Sequence, residues 1–195
     1  QAHEVIAADL LIESVLPLVR LQARKTGARV ELDIAQPVPR VKVDRTMVEQ
    51  VLLNLARNGI QAMEADTPLA ERVLLLRVRL APAPAAAAGR WVVFSVIDAG
   101  PGIPADVAQR LFTPFFTTKP EGMGLGLSLC RTVVEQHGGA MDFENLPARP
   151  GNACISILGT QQANIRATRN NVFNQHQIRR VVLNIKQGVP LFTAL

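Results

Sequence analysis

Three short stretches hold residue types that could do chemistry together. Residues 98–103 read Asp98-Ala-Gly100-Pro-Gly102-Ile103, and residues 122–127 read Gly122-Met123-Gly124-Leu125-Gly126-Leu127. Upstream, two asparagines stand four apart in Asn54-Leu-Ala-Arg-Asn58. A carboxylate at Asp98 can accept a hydrogen bond from an exocyclic amine, which adenine carries and guanine lacks at that position. Gly100 and Gly102 let the chain turn sharply and approach a base closely. Gly122, Gly124 and Gly126 free backbone amides to converge on phosphate oxygens, and a helix beginning there adds partial positive charge. Asparagine oxygens can ligate a hard cation such as Mg²⁺ without adding negative charge that would repel a triphosphate. Any one element is weak, since a turn after a strand or a solvated amide face explains it equally well. In this order they describe a cradle for ATP and a divalent metal.

The elements that must position these residues can be read from periodicity. Residues 5–23 carry apolar side chains at helical spacing, with Pro17 inside the pattern. Val30–Ile34 alternates like a half-buried strand, Pro37 and Pro39 break it, and Val41–Val43 is a short extended piece. Asp44 is a good N-cap for a helix over roughly 45–64. On that helix Val48, Val51, Leu52, Leu55, Gly59 and Ala62 form one face, while Gln50, Asn54, Asn58 and Gln61 share another stripe. Val73–Leu80 and Trp91–Ile97 are paired-strand candidates across a loose connection at 81–89, and the second delivers Asp98 at its end. A short helix over 105–111, a loop over 112–123 and a helix over 124–137, stopped by Gly138-Gly139, come next. Ala140–Glu144 and Ala153–Leu158 then read as a hairpin. Helices interspersed with hairpin strands predict an α+β fold, a two-layer sandwich with helices on one face of a mixed sheet. The stretch over roughly 104–123 has few apolar anchors beyond its phenylalanines, so it is expected to be poorly ordered without nucleotide.

Composition narrows the function. The chain has 195 residues and a formal net charge of +5. Residues 161–195 contain five basic and no acidic residues, which leaves 16 of each sign in 1–160. A neutral main domain does not predict a nucleic-acid groove. The division expected is a main domain over 1–160 and a basic, Asn/Gln-rich tail over 161–195, for which the sequence suggests no role. No apolar run approaches the roughly 20 residues that cross a bilayer. A cytoplasmic fragment without membrane contact is expected, whether or not the parent protein is membrane-tethered. Cys130 and Cys154 lack metal-ligand spacing and read as buried free thiols.

The motifs resemble the catalytic, ATP-binding domain of bacterial sensor histidine kinases, the Bergerat (GHKL) fold shared with type II topoisomerase, mismatch-repair and chaperone ATPases. An asparagine box lies in Glu49–Met63 and a first glycine box in Asp98–Ile103. An aromatic box reads Phe112-Thr-Pro-Phe115-Phe116-Thr117-Thr118-Lys119, and a second glycine box is Gly122–Leu127. The wording is similar to the nitrogen-regulation and oxygen-sensing subgroup, and the resemblance covers about Asp9 to Leu158.

It implies that Asn58 ligates Mg²⁺ with Asn54 in support, that Asp98 binds the adenine amine, and that Gly100, Gly102 and Ile103 shape that pocket. Thr117, Thr118 and Lys119 would belong to an ATP lid whose base Phe112, Phe115 and Phe116 pack. Lys119 could reach a terminal phosphate, and Gly122, Met123, Gly124, Leu125, Gly126 and Leu127 would line the phosphates. The catalytic set is then Asn54, Asn58 and Lys119. Gly59 departs from the family, which usually has alanine there.

The family's ATPases carry a glutamate where Asn54 stands, and an amide cannot activate water as that base does. Transfer of the γ-phosphate to a histidine therefore fits better than hydrolysis. The acceptor is expected on a dimerisation domain not present in this chain, with a response regulator as indirect partner. His3-Glu4 fits an acceptor context only superficially, because no proline follows until Pro17. The alternatives are a hydrolase of the same fold and a non-enzymatic nucleotide-binding module.

Overall fold

The computed structural model describes residues 3–82, 90–120, 122–146 and, as backbone, 152–159. Residues 83–89 of the connection expected over 81–89, and the tail expected over 161–195, lie outside the described residues.

The chain begins with strand β1 (Glu4–Ala7) and helix α1 (Ala8–Lys25), followed by β2 (Arg29–Ile34), β3 (Arg40–Val43) and helix α2 (Arg45–Ala62). A 3₁₀ turn at Leu69–Glu71 precedes β4 (Val73–Pro82) and β5 (Arg90–Ile97). Short helix α3 (Ala105–Ala108), helix α4 (Gly126–Gln136), β6 (Gly139–Leu146) and β7 (Asn152–Gly159) complete it. Five strands form one sheet in the order β2-β4-β5-β7-β6, and β1 pairs with β3 in a separate ribbon. The β2–β4 pair is parallel and the rest of the five-stranded sheet is antiparallel, so the sheet is mixed as expected.

One core holds the two layers together. Leu74, Leu76 and Val78 of β4, with Val92, Phe94 and Val96 of β5, alternate toward the helices. They pack in one buried cluster with Leu11, Ile12, Val15 and Val19 of α1 and Val48, Val51, Leu52 and Leu55 of α2. Each fully buried side chain of this kind is worth about 1.5–3 kcal/mol. The other face of the β2–β4 pair is polar, with Asp33 taking ion pairs from Arg77 (2.9 Å) and Arg79 (2.5 Å).

The structure corrects the sequence reading at several ends. The helical pattern over 5–23 starts only at Ala8, because Glu4–Ala7 pairs antiparallel with Arg40–Val43 and places Ile6 opposite Val41. α1 runs on through Pro17. The helix after Asp44 stops at Ala62, and Ala62 is exposed while Ala56 and Ile60 join the buried face. The short helix ends at Ala108, and α4 begins at Gly126 because Gly124 has a φ of 67° that a right-handed helix cannot hold.

Two devices fix α2, the helix that carries the amides. Asp44 caps it, its side chain accepting from the Met47 N–H at 3.1 Å. The Asp44 N–H in turn donates to Nε2 of His137 at 3.0 Å, while His137 Nδ1 lies 2.7 Å from the Val133 carbonyl. A carbonyl can only accept, so Nδ1 carries the proton and Nε2 is the acceptor. Neutral His137 thus joins the end of α4 to the start of α2.

Candidate functional site

The expected residues converge on one cleft of about 1330 Å³, floored by α2 and walled by the segments around α3 and the start of α4. Asn54, Asn58, Asp98, Gly102, Ile103, Thr117, Thr118, Lys119, Gly122, Met123, Gly124, Leu125, Gly126 and Leu127 all line it. Gly100 does not, and works from behind. Its N–H donates to Asp98 Oδ1 at 2.8 Å, and a Cβ at Gly100 would lie 2.8 Å from that oxygen and 3.0 Å from the Ala62 carbonyl.

Asp98 is buried, 6% exposed, at the end of β5. The turn after it is held by side chains that no motif announced. Ala99 donates its N–H to Met63 Sδ (3.4 Å), and its carbonyl accepts from Thr67 Oγ1 (3.0 Å). Further on, Asn145 of β6 clamps Ile103 at two points. Its Oδ1 accepts from the Ile103 N–H (2.9 Å), and its Nδ2 donates to the Ile103 carbonyl (2.8 Å). Gly102, with φ 79°, supplies the left-handed residue this path requires. Leu18 and Gln22 of α1 also line the cleft. Their helical spacing marks only a packing stripe, so the sequence held no signal for them.

The amide stripe forms a directed network. An ammonium has donors and no acceptor, so the oxygens of its amide partners must face it. Lys119 Nζ lies 3.2 Å from Asn58 Oδ1 and 2.5 Å from Gln61 Oε1. That turns Asn58 Nδ2 back along the helix, where it donates to Asn54 Oδ1 at 3.2 Å. Asn54 is also the hydrogen-bond partner of the Cys130 side chain on α4. Burial pushes the Cys130 thiol up to about 12, so it is neutral at physiological pH. Cys130 is a buried free thiol as expected, whereas the Cys154 side chain lies outside the described residues. Loss of solvent around the Lys119 ammonium, and then repulsion from Arg57, pull Lys119 below the ordinary lysine range.

All three glycines of the second box stand at close approaches, a Cβ on Gly122 meeting Thr117 Oγ1. A Cβ on Gly126 would sit 2.9 Å from Asn54 Nδ2, so the first turn of α4 lies directly on the amide pair. A Cβ on Gly124 would lie 2.5–2.6 Å from backbone atoms of Phe115 and Phe116. The aromatic residues divide. Phe112 packs near Phe143 (centroids 6.3 Å) and under Arg131, and Phe116 lies under Arg110 at 4.3 Å. Phe115, expected in the base of the loop, is instead 78% exposed with φ 63°.

The site can therefore receive an amine at a buried carboxylate and, at its other end, present amide oxygens, a lysine and a glycine-rich helix start to an anion with its cation. The donor set fits Mg²⁺: Asn58 Oδ1 is a neutral hard oxygen already turned toward a positive charge. This combination on a helix-backed mixed sheet defines an ATP-binding domain of the two-layer α+β type.

Residues 43–162 match the family described as histidine kinase-, DNA gyrase B-, and HSP90-like ATPase. The chain is 41% identical over 140 residues to the C4-dicarboxylate transport sensor protein DctS of Rhodobacter capsulatus, covering 71% of this chain and 20% of that protein. It superposes on the catalytic domain of histidine kinase ThkA with a TM-score of 0.68 at 30% identity, covering 83% of this chain and 97% of that one. The complex of ThkA with the response regulator protein TrrA is matched with a TM-score of 0.63 at 27% identity, covering 82% of this chain and 42% of that one. This chain belongs to the histidine kinase-like ATPase family, as an ATP-binding catalytic domain of the sensor histidine kinase type. It spans about a fifth of the length of DctS. Among the described residues no helix is long and apolar enough to cross a membrane.

Proposed function

We propose that this domain binds Mg·ATP and passes the γ-phosphate to a histidine on a dimerisation domain of the parent kinase, for onward delivery to a response regulator. Asp98 takes the adenine amine, with Gly100, Gly102 and Ile103 shaping the pocket around the base. Asn58 holds Mg²⁺, with Asn54 fixing its amide. Thr117, Thr118 and Lys119 form the lid, and Gly122–Leu127 presents backbone amides to the phosphates, the Lys119 ammonium reaching the terminal one. When bound, the metal neutralises phosphate charge. The protein's own part is to position the nucleotide and exclude solvent around it, as phosphoryl transfer demands little covalent chemistry from the enzyme.

The observation that carries this reading is the orientation of the amide pair. Asn58 Oδ1 faces the Lys119 ammonium while Asn58 Nδ2 donates to Asn54 Oδ1. Asn54 is itself an amide, which cannot deprotonate water, and this favours transfer over hydrolysis.

The experiment mixes the domain with Mg·ATP and an acceptor-bearing dimerisation domain and measures phosphohistidine. Transfer that disappears in Asn58→Ala, with little steady-state phosphate release, is the expected result. Rapid phosphate release without transfer would favour a hydrolase, and binding with neither would favour a nucleotide-sensing module. The setting proposed is cytoplasmic, with no nucleic-acid or membrane contact by these residues.

A further inference from the structure

Lys119 and α2 are joined by a contact that nucleotide binding does not require. The ammonium lies across two neutral oxygens one helical turn apart, Asn58 Oδ1 and Gln61 Oε1, at 3.2 and 2.5 Å. Gln61 belongs to the amide stripe but has no part in the assignment above. Among the described residues, the other hydrogen bonds of the stretch from Thr117 to Gly122 are local. Phe115 is exposed, and Thr117 Oγ1 serves the loop itself, accepting from the Lys119 N–H at 3.0 Å. The Gly122 N–H donates to the Lys119 carbonyl at 3.1 Å, so the backbone here follows wherever Lys119 is held.

We propose that Gln61 is a positioning residue that parks Lys119 against Asn58, latching the loop across the phosphate end of the cleft until a metal replaces the ammonium at the Asn58 oxygen. A metal on the same oxygen would stand within a few ångströms of the ammonium, and repulsion between the two cations opposes their sharing it. Loading with Mg·ATP therefore releases Lys119 from Gln61 and frees it for the phosphates. The latch stands on the observed contact alone. The competition with metal rests on the assignment of Asn58 made above.

Hydrogen exchange on the nucleotide-free domain tests the latch without reference to catalysis. Gln61→Ala should speed exchange at the Lys119 and Gly122 amides on the order of fivefold, as should Lys119→Met. The double variant should be no faster than either single one, because both remove one contact. Gln61→Glu, which keeps an acceptor, should leave the amides at least as protected as in the parent protein. Unchanged exchange in Gln61→Ala, or fully additive effects, would overturn the latch and indicate a purely local role. For the competition, the Mg²⁺ concentration giving half-maximal binding of a fluorescent ATP analogue should fall roughly threefold in Gln61→Ala. An unchanged or raised Mg²⁺ requirement would overturn it. Absence of nucleotide binding by the parent protein would remove the functional reading while leaving the exchange result intact.

Discussion

Gly59 on α2 and Asp98 at the end of β5 stand so close that a Cβ on Gly59 would lie 3.3 Å from the Asp98 Cβ and 2.8 Å from Cδ1 of fully buried Leu74. The space an alanine methyl would use is already filled by Leu74.

Gly59→Ala is therefore a test of packing against propensity. The helix gains up to about 1 kcal/mol from the substitution. Overfilling a packed core costs about 1–3 kcal/mol. The expected outcome is a net loss of about 1 kcal/mol in denaturant unfolding, with ATP affinity lowered severalfold as Asp98 is displaced. A more stable variant with full affinity would refute this account of the contact.

Substituting Asp98 separates the adenine anchor from its structural role. Asp98→Ala removes the acceptor for the Gly100 N–H as well as the one assigned to the base. Asp98→Asn can keep the first, but turns an amide donor toward an adenine amine that is also a donor. Both should lose about 2–3 kcal/mol of ATP binding, the worth of a hydrogen bond to a charged group. Only Asp98→Ala should lose stability too. A fluorescent-nucleotide titration beside a thermal melt reads both, and undiminished affinity in either variant counts against the assignment.

Arg72 ties three segments through one guanidinium. It donates to the carbonyls of Thr67 (2.8 Å), Thr26 (2.6 Å) and Glu64 (2.8 Å), joining the ends of α1 and α2 at the entry to β4. Arg72→Met should cost about 2–3 kcal/mol in urea unfolding, given the strength of charge-assisted bonds. Arg72→Lys should recover less than half, since a single ammonium cannot span the fork. Wild-type stability in the methionine variant would show the tie to be idle.

Cys130 gives a pH dependence of known sign. Its thiol ionises near 12 in the fold against an ordinary 9.0, so the unfolded chain gives up its proton first. The associated stability is complete below about pH 9 and is lost as pH climbs toward 12, reaching a loss of roughly 2 kcal/mol by pH 10.5. The stability difference between pH 7.5 and 10.5 should shrink accordingly in Cys130→Ala. In a Cys154→Ser background, Cys130 should react with a thiol reagent slowly at pH 8 when folded and rapidly in denaturant. Equal rates would contradict its burial.

The sequence alone determined what is written in neighbouring residues. The amide stripe and the Asp44 cap follow from spacing within one helix, and β5 delivers Asp98 by simple alternation. The ordered boxes identify the cradle because each is a local motif with its own chemistry. The tertiary structure decided what depends on partners far along the chain. Glu4–Ala7 became a strand because β3 lies beside it, and Phe115 stands exposed where the Gly124 backbone packs on that of Phe115 and Phe116. The Asn145 clamp on Ile103, the His137 bond to Asp44 and the Lys119 contact with Gln61 join residues 42, 93 and 58 positions apart. Periodicity carries information over a turn or a strand, whereas these contacts exist only once packing has brought separate segments within about 3 Å, the range of a hydrogen bond.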